Sequence, residues 1–253
     1  MKGEDANAAF YDADSSTYDD ARWTSGAGAR TNRIQQRIVQ DLCADWSHQR
    51  VLEVGPGTAR FTIPLTRKGN RLTLVDVSRG MLDTARKNLE AAGLGGQVDD
   101  CVNGSIYELP FADNTFDHAI SINVFNHLER AGAALKELAR VTSPGSTLLF
   151  NHANQHSYYW LAGKLINRRS SAIGQSVYSR WEKPAAVRRM IGEAGLDLVR
   201  HVGHVHTPRA IEKYRLGPVT MLLDAASRRG PLHRFAPVHF CLCRKPGVTG
   251  CDP

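Results

Sequence analysis

From about residue 30 to about residue 150, short β-branched apolar runs alternate with stretches whose apolar positions recur at helical spacing. That alternation marks βαβ units around a parallel sheet and predicts an α/β fold. The expected strands are Arg50–Val54, Arg71–Asp76, Gln97–Asn103, His118–Ile122 and Ser146–Phe150, with Leu196–His206 and His239–Arg244 as later ones. Between them, Ala59–Lys68, Arg79–Ala92 and Arg130–Val141 carry the helical period.

Punctuation sharpens several boundaries. Ser78 stands where an N-cap belongs, and Gly93 where the same helix must stop. Pro184 suits the first turn of a helix running towards Gly195. Pro144-Gly145 predicts a tight turn between a helix and a buried strand. The expected organisation is an N-terminal segment over 1–31, one domain over 32–245 and a loose tail over 246–253. Insertions at about 152–181 and 207–237 are expected at the C-terminal edge of the sheet, where loops wall ligand crevices.

Composition changes this picture little: 42% hydrophobic and 23% charged residues describe an ordinary globular chain. No run approaches the roughly 18 apolar residues of a membrane span, so a soluble, cytoplasmic protein is expected. Five cysteines with no CxxC pair suggest neither a disulfide framework nor a zinc site. Charge is uneven. Residues 164–253 hold 16 of the 32 Lys and Arg but only 6 of the 25 Asp and Glu. Such a basic third suits a solvated surface or an anionic small-molecule substrate. Nucleic acid is not expected, because no RNA-binding motif or basic–aromatic interleaving is present.

The strongest chemical signal lies in Val51–Phe61, where an apolar strand ends in Gly55-Pro56-Gly57 and a helix is expected at once. Such a bend lets backbone approach a ligand where a Cβ would collide. Arg60 stands at the third-glycine position of the dinucleotide fingerprint, which counts against a nicotinamide cofactor. Nineteen residues beyond Gly57, the second strand ends in Asp76. A carboxylate there can accept hydrogen bonds from both hydroxyls of an adenosine ribose.

Several segments together resemble the class I S-adenosylmethionine-dependent methyltransferases of the small-molecule type. They are Glu53–Gly57, Val75–Leu82, Leu109–Asp117, Asn126-His127-Leu128, and Leu138–Val141 with Pro144-Gly145. The resemblance covers roughly 45–150 and implies a Rossmann-like, mostly parallel seven-stranded sheet with helices on both faces. It also implies S-adenosyl-L-methionine as cofactor and S-adenosyl-L-homocysteine as product. Glu53, Gly55 and Gly57 would border the methionine part, Asp76 would hold the ribose, and Val77 and Met81 would pack on the adenine. Many relatives place an Asp after the third strand to receive the adenine amino group. Here Ser105, followed by Ile106, stands at that place. Asn123 would wall the site, and Tyr18 in the N-terminal segment would close over the cofactor carboxylate.

His127 follows the fourth strand, at the rim where the methyl group should lie, and is the candidate general base. His152 and His156 follow the fifth strand and open the stretch Tyr158-Tyr159-Trp160; these five are the expected substrate wall. No metal is expected. Strand alternation sets His201 opposite to His204 and His206, and no acidic or cysteine ligand is near them in sequence. The expected reaction is methyl transfer to oxygen or nitrogen of a small molecule, in specialised metabolism. The competing readings are an RNA or peptide acceptor held by the basic third, and a non-catalytic methyltransferase-like binding module.

Overall fold

A computed structural model describes residues 2–24, 26–157, 160, 180–204 and 231–247. Three helices come first, α1 (Lys2–Asp14), α2 (Tyr18–Arg22) and α3 (Gly26–Leu42). Then follow β1 (Arg50–Val54), α4 (Thr62–Thr66), β2 (Arg71–Asp76), α5 (Arg79–Ala91), β3 (Val98–Asn103) and β4 (Phe116–Ser121). The remaining elements are α6 (Ala131–Val141), β5 (Thr142–Ala153), α7 (Pro184–Glu193), β6 (Asp197–His204) and β7 (Val238–Arg244).

The strands form one seven-stranded sheet in the order β3-β2-β1-β4-β5-β7-β6. It is parallel except for β7, which runs antiparallel to both β5 and β6. Chain order reverses between β1 and β4. In an open α/β sheet that switch point leaves a crevice at the carboxyl ends of the strands.

Side-chain alternation supplies both faces of the sheet. Leu52, Val54, Ala119 and Leu148 pack with Leu135 and Leu138 of α6 and with Val187 and Ile191 of α7. Val51, Leu72, Leu74, Ile120 and Leu149 pack with Ile38 and Leu42 of α3 and with Leu82 and Leu89 of α5. Burial on both faces explains why these strands read as continuous apolar runs. Trp46 is fully buried, stacks on His118 at 4.4 Å and donates its indole N–H to Thr147 Oγ1 at 3.0 Å, so its one polar group is satisfied.

The structure departs from the sequence expectation in four places. The helix expected over Ala59–Lys68 shortens to Thr62–Thr66, because Gly57 and Ala59 both take positive φ (55° and 69°) and keep the preceding residues in a bend. Pro144-Gly145 is no separating turn: α6 runs into β5, and the pair forms a bulge between the Phe116↔Thr142 and His118↔Thr147 pairings, with Gly145 at φ 82°. The break drawn at residue 31 falls inside α3. His152 and Ala153, assigned to an insertion, complete β5, because β7 offers them His239 and Val238 as partners. Most of both expected insertions lies outside the described residues. Among the described residues no helix is long and apolar enough to cross a membrane.

Candidate functional site

β1 delivers the chain to Gly55, whose N–H donates to the carbonyl of Val75 at 2.8 Å and so ties the bend to β2. Gly55 takes φ 74°, and a Cβ there would lie 2.2 Å from Val124 Cγ2. Any other residue would meet both strain and collision. Gly57, at φ 55°, faces open space.

β2 carries Asp76 to the same crevice. Its carboxylate accepts the backbone N–H of Ser78 at 2.9 Å, and the N–H groups of Gly57 and Val77 also favour its charge. Burial outweighs these donors and pushes its pKa up to about 6. This carboxylate sits half-satisfied, held by donors on one side and facing the crevice on the other.

The N-terminal helices roof the crevice. Asp12 accepts from Ser78 Oγ at 2.5 Å and from the N–H of Gly80 at 2.9 Å, which holds its carboxyl below the usual range and fixes α1 over the start of α5. A Cβ on Gly80 would lie 2.8 Å from Ser15 Oγ, so glycine permits that close approach. Thr58 Oγ1 donates to Asp19 at 2.7 Å and ties α2 to the glycine bend. Tyr11 and Tyr18 meet edge to face at 6.2 Å, and Arg22 lies 4.3 Å over the Tyr18 ring.

Of the residues singled out in the sequence, Tyr18, Gly55, Gly57, Asp76, Val77, Met81, Ile106, Asn123 and His127 line this one crevice. Asn123 is held at φ 63° by Asn151, which accepts its N–H at 2.6 Å and donates to its side-chain oxygen at 2.9 Å. The Nε2 of His127 lies 3.1 Å from the Tyr11 hydroxyl and 2.9 Å from Asn126 Nδ2.

Five others sit elsewhere. Glu53 lies beneath the bend rather than on the wall, its carboxylate accepting from Thr62 Oγ1 at 2.7 Å, and burial pushes its pKa up to about 7. Ser105 does not line the crevice, because its hydroxyl donates to Glu4 at 2.6 Å. His152 is buried on the sheet among other histidines, and His156 is exposed, so neither joins the wall. Trp160 donates its backbone N–H to Ser157 at 3.1 Å and is not on the wall either. Tyr158 and Tyr159 lie outside the described residues.

Two charged wall residues were missed. Glu4 brings a carboxylate from α1 to the place where Ser105 stands. Arg60, noted only as a missing glycine, turns its guanidinium to Asn32 at 3.0 Å and Gln35 at 2.9 Å, with Trp23 and Phe61 rings 4.0 and 4.3 Å away. Burial lowers its pKa only to about 10, so it stays charged at neutral pH among neutral amide partners. Asn32 and Gln35, polar and one helical turn apart on α3, were the available signal.

Sheet order and crevice define a Rossmann-like α/β protein with an open crevice at its switch point. Residues 52–150 match the family model described as a methyltransferase domain. A ubiquinone/menaquinone biosynthesis C-methyltransferase from Roseobacter denitrificans is 33% identical over 152 residues, which is 56% of this chain and 60% of that protein. A malonyl-[acyl-carrier protein] O-methyltransferase from Erwinia pyrifoliae is 30% identical over 66% of this chain and 59% of that protein. The chain thus spans about three fifths of the length of these curated relatives. The CcbJ methyltransferase of Streptomyces caelestis superposes with a TM-score of 0.66 at 19% identity, covering 94% of this chain and 98% of that one. Over residues 52–150 the chain thus resembles methyltransferase domains, and its fold is shared with a solved methyltransferase.

Proposed function

We propose that the protein moves a methyl group from S-adenosylmethionine to an oxygen or nitrogen of a small molecule of specialised metabolism. The observation that carries this reading is the convergence of the Gly55–Gly57 bend, the Asp76 carboxylate and the Arg60 guanidinium on one crevice. The residues present fit the cofactor. Asp76 retains acceptor capacity for ribose hydroxyls, and Met81 with Ile106 supplies an apolar floor for a purine. Arg60, a half-buried cation whose side-chain hydrogen bonds go to neutral amides, fits the amino-acid carboxylate. Glu4 takes the part of the missing Asp: its carboxylate can receive an adenine amino group with the charge assistance that Ser105 lacks. Replacing Glu4 by Gln is expected to weaken S-adenosylhomocysteine binding about tenfold, within the range for hydrogen bonds to charged groups, as read by calorimetry.

The bound cofactor supplies an already activated sulfonium methyl, which leaves the protein to align the acceptor and exclude water. Tyr11, Tyr18 and Glu4 on the roof serve exclusion. His127, on the rim, takes the acceptor proton at Nε2 once the acceptor hydroxyl displaces Tyr11 and Asn126 from that nitrogen. Burial raises the Tyr11 phenol well above its ordinary range, so it remains a neutral donor. The decisive experiment screens small-molecule acceptors for a cofactor-dependent mass gain of one methyl group, with S-adenosylhomocysteine calorimetry beside it. Failure to bind that ligand at millimolar concentration would end the proposal. For an oxygen acceptor, His127→Ala is expected to lower turnover by about 10² to 10⁴ while changing ligand affinity only slightly. Unchanged turnover would remove the base.

A further inference from the structure

Four histidines outside the crevice gather on the far part of the sheet. His152 of β5 lies opposite His239 of β7, and His201 of β6 lies opposite Cys241, two residues along β7. Alternation therefore projects His152, His201 and His239 from one face. One ring nitrogen from each lies within 4.8 Å of the other two. His239 Nδ1 and His201 Nε2 are 2.6 Å apart.

The outer nitrogens show how these rings are oriented. Asn154 Nδ2 directs its protons to the carbonyls of Arg234 and Ala236, both at 2.9 Å. That leaves His239 Nε2–H to donate to the Ala236 carbonyl at 3.1 Å, with the Nδ1 lone pair turned inward. His152 Nδ1 donates in the same way to the Ala153 carbonyl at 3.2 Å, which leaves Nε2 as its free lone pair. Metal-bound imidazoles are fixed by this same device, a carbonyl holding the distal N–H. His233 closes one side, its Nε2 donating to the His201 carbonyl at 3.1 Å. Burial disfavours the imidazolium form of all three rings, which agrees with neutral, lone-pair-bearing ligands.

We propose that His152, His201 and His239 form a site for a divalent cation of borderline softness, Zn²⁺ foremost, with a fourth position left to water. Three imidazoles and no carboxylate or thiolate suit zinc better than a hard cation. Zn–N bonds of about 2.0–2.1 Å put tetrahedral ligands roughly 3.4 Å apart. The close pair must open and the wider separations must shrink by about an ångström, a small side-chain rotation. The proton between His201 and His239 moves to His201 Nδ1, so no charge is left over. His201 is half-buried, which gives the ion a way in. The bound ion would tie together β5, β6 and β7 where β7 runs against its neighbours.

The test uses tag-free full-length protein, stripped with EDTA and titrated with Co²⁺. We expect one equivalent taken up with the intense visible absorption of tetrahedral cobalt, and displacement by Zn²⁺. X-ray absorption of the zinc-loaded protein should show three imidazole nitrogens at about 2.0–2.1 Å. His201→Gln should lose uptake by at least about 10-fold, in the range for removing one ligand-shell interaction, whereas exposed His156→Ala should keep it. Absence of uptake tighter than millimolar, uptake retained in both His201→Gln and His152→Gln, or a scattering shell without imidazole would overturn the site. The direct scattering measurement decides the matter even if a buried variant fails to fold.

Discussion

Asp76→Ala is expected to weaken S-adenosylhomocysteine binding by about 10- to 100-fold, because the ribose loses its charged acceptor, a loss of about 1.5–3 kcal/mol in all. Calorimetry reads this directly, and an affinity within twofold of wild type would sink the assigned ribose contact. The effect depends on pH in a definite direction. Burial holds the Asp76 pKa at about 6, so below that pH the empty crevice carries a protonated acid. Ribose hydroxyls donate to the ionised form, so binding must expel a proton at low pH. Affinity should therefore rise by up to about tenfold per pH unit from pH 5 towards 6 and level off above it. Stability runs the other way. A folded-state pKa raised above the ordinary carboxylate value contributes stability below about 4 that is lost as pH rises through about 6. Asp76→Asn should thus melt above wild type at pH 7.5, and the gap should close near pH 4.

The second large effect belongs to Arg60. Replacing it with Met is expected to weaken S-adenosylhomocysteine by about 10- to 100-fold, the range for losing a charge-assisted contact. Affinity for 5′-methylthioadenosine, which lacks the amino-acid part, should stay within a few-fold. Parallel loss of both ligands would show that Arg60 supports the fold of the crevice rather than the carboxylate. The melting temperature gives a control, since Met leaves the Asn32 and Gln35 carbonyls without their donor.

Much of the site was legible because its signals are local. Strand, bend and acid at the tip of the next strand occupy one βαβ unit, and Ser78 caps α5 as its position suggests, accepting from Met81 N–H at 3.1 Å. The same locality misled at position 60, where the fingerprint registered only that glycine was absent. Glu53 was misplaced because alternation at the end of β1 turns its side chain under the bend, towards Thr62. Ser105 was read without Glu4, 101 residues away. Tyr11 meets His127, 116 residues away, and no local pattern joins the two.

By itself, then, the sequence determined the alternation of strands and helices, the side-chain-free bend and the acidic strand tip. Each of these follows from period, propensity and capping within a few residues. Tertiary structure decided which distant side chains share a space: α1 laid over the crevice, Arg60 held by α3, and three histidines aligned by the entry of β7 between β5 and β6. Those meetings depend on strand order and register, and no local period encodes the partner of a side chain on another strand.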